Sequence, residues 1–114
     1  MKLEVGMYVR TNDGYINKII KVNQFNVLVY GRDLFGEELD IPNNEITKVS
    51  YNIIDILEVG DYVNGSPICL FKTDEKDRIW IYTDSNYKYG YLENEIKSIV
   101  TKEQFESIKY SLEG

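Results

Sequence analysis

Histidine and alanine are both missing from this 114-residue chain, and cysteine occurs once. Without histidine the chain lacks the commonest general base near neutral pH and the commonest transition-metal ligand. No serine or cysteine nucleophile can then be activated by an imidazole. The two glycine-rich phosphate signatures, G-x-x-x-x-G-K-[ST] and G-x-G-x-x-G, are also absent. The expectation is a protein that is not an enzyme and carries no cofactor or metal. A single cysteine, Cys69 in "PICLF", builds neither a disulfide framework nor a thiolate metal site within one chain, and its apolar setting reads as a buried core thiol.

The missing alanine, set against abundant Ile, Val, Tyr and Asn, favours pleated sheet, whose surface suits β-branched and aromatic side chains. Apolar runs such as "NVLVY" are too short to cross a bilayer, and Met1 is followed by a mixed-charge pattern with no apolar leader core. No membrane association is expected, and a cytoplasmic setting is. Arginine is scarce, with only Arg10, Arg32 and Arg78. Acids outnumber bases 19 to 13, for a net charge of −6. That balance disfavours direct binding to a phosphate backbone and points to a basic partner, or to the partner of a nucleic acid.

What the chain does contain is a repetition. Residues 3–9 read "LEVGMYV" and residues 57–63 read "LEVGDYV". Asn44-Glu45-Ile46 returns as Asn94-Glu95-Ile96, and each copy then reaches a helix-start signal. In the first, Asn52 precedes Asp55 by three residues. In the second, Thr101 precedes Gln104 by three, the spacing of a capping box. One or two helical turns are expected after each. The boundary falls between a first module, 1–56, and a second, 57–114.

Between these landmarks the pattern alternates at the strand period. "MYVRT" and "GYINKIIKV" flank Asp13-Gly14, which suits a tight hairpin. "NVLVYG", "ELDI" up to Pro42, and "TKVSY" follow, with "GRDLFGEE" as a turn. The second copy offers "DYVNG", "PICLFKT", "DRIWIYT", "YKYGYLE" and "IKSIV", with "TDEK" and "DSN" as turns. Five short strands per copy predict an all-β chain with short helical turns: two tandem small β-barrel modules packed together.

The stretch "VGMYVRTNDGYINKIIKV", through Gly6, Val9, Gly14 and Ile16, resembles the opening of Src-homology-3-like barrels and of KOW-type modules in particular. The second copy keeps Gly60 and Val63 and departs after "NGSPI". The whole arrangement, ending "IVTKEQFESIKY", resembles small uncharacterised proteins of phages and prophages from low-GC Gram-positive bacteria. The resemblance implies a barrel fold and brings no catalytic residue with it.

The carboxylate groups "GEELD" (Glu37, Glu38, Asp40) and "TDEKD" (Asp74, Glu75, Asp77) lack calcium-loop spacing and read as solvated turn charge. The aromatic residues are more informative. If Ile79 and Ile81 face the core, Trp80 and Tyr82 share the opposite face with Arg78, and Tyr87, Tyr89 and Tyr91 extend it beside Asp84. Leu34 and Phe35 stand as apolar residues in a glycine-bracketed turn, and with Glu37 and Glu38 beside them they join the candidate partner-binding residues. Aromatic anchors ringed by charge are the usual makings of a binding hot spot. The leading reading of such a face is a seam between modules or part of the core, ahead of a homo-oligomer contact or a partner surface.

Three functions are consistent with these residues. The first is an acidic inhibitor or adaptor that occludes a host defence or nucleic-acid-binding protein. The second is a sponge that sequesters a small nucleotide signal, with tyrosines stacking the base and Arg78, Lys88, Arg10 and Lys18 meeting the phosphates. The third, implied by the KOW resemblance, is a nucleic-acid-associated module, which the net charge opposes.

Overall fold

A computed structural model describes residues 2–30 and 38–113. It divides into two units, Met1–Ile56 and Leu57–Gly114. The first unit holds β1 (Tyr8–Thr11), β2 (Ile16–Val22), β3 (Asn26–Tyr30), β4 (Glu38–Pro42) and β5 (Ile46–Ser50). Single 3-10 turns lie at Asn43–Glu45 and Ile53–Ile56. The second holds β6 (Tyr62–Val63), β7 (Ser66–Thr73), β8 (Ile79–Thr83), β9 (Asn86–Tyr91) and β10 (Ile99–Val100). A 3-10 turn at Glu93–Glu95 precedes β10, and helix α1 (Lys102–Glu113) follows it.

Both units are antiparallel five-stranded sheets of one plan. The spatial order is β4-β3-β2-β1-β5 in the first and β10-β6-β7-β8-β9 in the second. In each, the fifth strand returns to lie beside the first. The all-β reading with two modules therefore holds, with one correction. The sheets are not closed barrels: among the described residues no ladder joins β4 to β5 or β9 to β10. The ends are poorly suited to pairing. β4 stops at Pro42, which has no N–H to donate, and β10 is two residues long.

The repeated phrase is a turn followed by a strand. Met7 N–H donates to Glu4 O at 3.2 Å and Asp61 N–H to Glu58 O at 3.0 Å, closing the same turn in both copies. Gly6 (φ 93°) and Gly60 (φ 98°) occupy its left-handed position, which a Cβ would strain. The next bonds also match. Ile19 N–H reaches Met7 O and Ile68 N–H reaches Asp61 O, each at 2.8 Å.

One residue beyond each of these isoleucines the ladder slips. Ile19 pairs Val29 but Lys21 pairs Leu28; Ile68 pairs Thr83 but Leu70 pairs Tyr82. Ile20 and Cys69 are thus the extra residues of equivalent β-bulges, which bend the long strand of each unit. The bulge also overturns the expected burial of Cys69. It removes the residue from the alternation, leaving an exposed side chain whose thiol donates to Tyr82 O at 3.1 Å.

The first core gathers Val9, Ile19, Val27, Val29, Ile41 and Ile46, with Leu3, Met7 and Val49 at its edge. The second unit buries Val63, Ile68 and Ile81 together with Asp61, Thr83 and Thr101. Each buried Val or Ile is worth about 1.5–3 kcal/mol in transfer free energy. Thr101 makes the expected capping box: Gln104 N–H donates to its hydroxyl and its own N–H donates to Gln104 Oε1, both at 3.3 Å. The helix it starts runs 12 residues, longer than the one or two turns expected. At the first signal, Asn52 serves through its backbone carbonyl, which accepts from Asp55 N–H at 3.1 Å, and the chain makes one 3-10 turn.

Candidate binding surface

The aromatic hairpins of the second unit are built from β7, β8 and β9. Ile81 is fully buried and Trp80 and Tyr82 point the other way, as alternation requires. Register pairs Lys72 with Trp80 and Leu70 with Tyr82, so these four side chains share the outer face. Arg78 lies over the Trp80 ring at 5.7 Å and Lys72 over Tyr82 at 5.4 Å. These are cation–π contacts. Sequence reading missed Lys72, because the pairing partner of a strand is not visible within the strand.

Trp80 is held from below by the β7–β8 turn. Asp74 Oδ1 accepts the backbone N–H groups of Lys76 (2.9 Å) and Arg78 (3.0 Å). Its Oδ2 accepts Arg78 Nε–H at 2.8 Å and the Trp80 indole N–H at 2.9 Å. The indole bond, more than any other contact, holds the Asp74 carboxyl well below the usual range, and the Arg78 and Lys76 bonds add to it. This corrects the reading of "TDEKD" as mere solvated charge. Asp74 organises the turn, while Glu75 and Asp77 remain exposed.

β9 behaves differently. Ile81 pairs Tyr91, and Thr83 pairs Asn86, so residues 87–90 lie opposite the single residue Tyr82. Asn86 Nδ2–H donates to Gly90 O at 3.0 Å across the base of this widening. Gly90 has φ 73°, and a Cβ there would stand 3.1 Å from both Ile81 O and the Tyr82 ring. Between these fixed points Tyr87 and Tyr89 stand 73% and 74% exposed, with exposed Lys88 between them. Tyr91, by contrast, pairs Ile81 and is half-buried. The five aromatics therefore differ in exposure. Trp80 and Tyr82 are half-buried beneath cations, and Tyr87 and Tyr89 make an exposed knuckle. Asp84, exposed, is in the turn between β8 and β9.

Leu34, Phe35 and Glu37 lie outside the described residues, and Glu38 is exposed on β4. Arg10 is 1% exposed and donates from Nη1 to Ile56 O at 3.0 Å. It belongs to the interior of the first unit and does not line a ligand surface. Lys18 is exposed with its ammonium 5.6 Å from the Tyr8 ring. The four cations of the nucleotide reading are thus divided, Arg10 and Lys18 in one unit and Arg78 and Lys88 in the other.

Two features escaped the sequence reading. Phe25, in the β2–β3 turn, is 75% exposed. Its signal is an aromatic among polar turn residues, "NQFN", without the glycine bracket that marks Leu34 and Phe35. The second is a pair of recesses at equivalent places, each beside the 3-10 turn before the fifth strand. In the first unit a cavity of about 120 Å³ is lined by Thr11, Asp13, Tyr15, Asp40 and Glu45 among others. In the second, an open cleft of about 650 Å³ runs past Asn64, Tyr91, Glu95 and Lys97.

Among the described residues no helix is long and apolar enough to cross a membrane, and no three His, Cys, Asp or Glu side chains are grouped to hold a metal ion. Comparison of the chain with protein-family models, with curated proteins and with solved structures finds no match in any of the three.

Proposed function

We propose that this chain is a non-enzymatic binding protein of a phage or other mobile element, an acidic inhibitor or adaptor that occludes a basic host protein. The contact is the knuckle of β9. The observation that carries the reading is the exposure of Tyr87 and Tyr89, at 73% and 74%, on a strand segment held at its base by Asn86 and Gly90. Tyrosines supply large amphipathic contact area, as hot-spot residues do. The net charge of −6, with Asp84 exposed nearby, favours a basic partner through steering and complementarity. The matching strand orders, each with a 3-10 turn before the fifth strand, show that the two units repeat one plan.

The test is quantitative co-purification from host cells of the unaltered chain against a Tyr87→Ala/Tyr89→Ala variant. The unaltered chain retains a partner in fixed stoichiometry, and the variant loses it with an unchanged unfolding midpoint. Equal recovery by both chains rejects the knuckle as the contact. A self-associated complex that the variant dissolves would replace the host partner with a second copy.

A further inference from the structure

The repeated phrase differs at one position, Met7 against Asp61. Met7 packs at the edge of the first core. Asp61 is 0% exposed, and a carboxylate withdrawn from water is tolerated only when it is well bonded. Its Oδ2 accepts Glu58 N–H at 2.7 Å, and its Oδ1 accepts Lys102 N–H at 3.0 Å. One oxygen thus closes the opening turn of the second unit, and the other meets the first residue of α1. A negative group there also opposes the positive end of the helix dipole.

Three more contacts converge on the same turn and strand. Lys102 Nζ pairs with Glu58 Oε1 at 2.6 Å. The stem of Lys102 lies over Gly60, where an added Cβ would stand 3.6 Å from Lys102 Cδ. The Phe105 ring stacks on Tyr62 with centroids 4.4 Å apart and planes at 22°. The first unit fills these places from its own turn: Tyr51 lies over Gly6 and donates its phenol to Glu4.

A helix of 12 residues is too short to hold by itself in water, even with good helix formers among its residues. We propose that α1 is a conditional clasp. Residues 102–113 fold only when docked on the opening turn of the second unit, and Asp61 is the residue that turns the docking on. The clasp has two states, closed and released. Release uncovers Tyr62 and frees a segment carrying Phe105. This holds whether or not the tyrosine knuckle is the partner contact.

The test is amide hydrogen exchange at Lys102–Glu106 in the full chain, compared with exchange in β7 and β8. Asp61→Met, which installs the residue of the first unit, speeds exchange at α1 about tenfold, the scale of a lost N-cap, and leaves the strands unchanged. Phe105→Ala produces the same confined release without touching the buried carboxylate. Retained protection of α1 in both variants overturns the proposal. If Asp61→Met unfolds the unit, Phe105→Ala decides. Release of α1 over an intact sheet upholds the clasp. Loss of the sheet together with the helix, or a helix still protected, overturns it.

Discussion

The indole N–H of Trp80 and the guanidinium Nε–H of Arg78 both donate to Oδ2 of Asp74, at 2.9 and 2.8 Å. Trp80 is therefore a fastening of its own hairpin before it is anything else. Asp74→Ala removes the acceptor for two side chains and two backbone N–H groups at once. Tryptophan emission should shift to the red and quench more readily with iodide, while the strands remain. An unchanged emission spectrum would show that the indole is held by packing alone.

The same carboxyl makes the hairpin sensitive to acid. Its pKa is depressed in the folded chain, first by the indole bond, so its contribution is present in full above the unfolded value of about 3.9 and lost as pH falls towards the folded one. Tryptophan emission should be flat from about pH 7 to pH 5 and change only in more acid solution. In Asp74→Asn this acid step disappears. A step centred near neutral pH would assign the transition to another group.

Knuckle and core should separate cleanly under mutation. Tyr87→Ala and Tyr89→Ala remove exposed rings and should move stability by no more than about 0.5 kcal/mol. Ile81→Ala, at a fully buried site of the same sheet, should cost about 2–5 kcal/mol. Urea unfolding of the three variants measures both. A large loss at Tyr87 would mean that its ring supports the fold.

Gly90 holds a left-handed φ of 73° under the Tyr82 ring. Gly90→Ala adds both backbone strain and a contact of 3.1 Å with Ile81 O, and should destabilise by about 1–3 kcal/mol. The knuckle loses its mount at the same time, so partner binding should fall with stability. Denaturant unfolding beside a binding titration checks both effects.

At the other end of the pH scale, the Lys102 ammonium is held above its ordinary pKa, chiefly by its bond to Glu58. A raised amine contributes below its unfolded pKa of about 10.4 and loses that contribution as pH rises through the folded value. The helical circular-dichroism signal should therefore weaken only in strongly alkaline solution. Lys102→Met should remove most of that dependence.

Much of the architecture was legible in the residues themselves. β-Branched alternation marked the strands, Asp13-Gly14 marked a hairpin, and Thr101 with Gln104 marked the start of α1. Each is a local signal, carried by neighbours in the chain. Asn64-Gly65 sits at the end of the strand-like run "DYVNG", yet both residues take positive φ, the pattern of a two-residue turn. Cys69 and Arg10 were misplaced for a related reason. A bulge shifts a strand against its partner, and burial of an arginine depends on an acceptor 46 residues away; neither partner is adjacent in sequence.

By itself, then, the sequence determined an acidic, sheet-forming chain that says one module twice, because backbone preference and hydrophobic period are short-range properties. Tertiary structure alone decided what became of the side chains. It tied Trp80 to Asp74, pushed Tyr87 and Tyr89 outward through an uneven pairing of β9, and gave Asp61 a helix to hold where Met7 has none. Those outcomes depend on which strand or turn comes to lie alongside, and a long-range pairing leaves no mark on either segment taken alone.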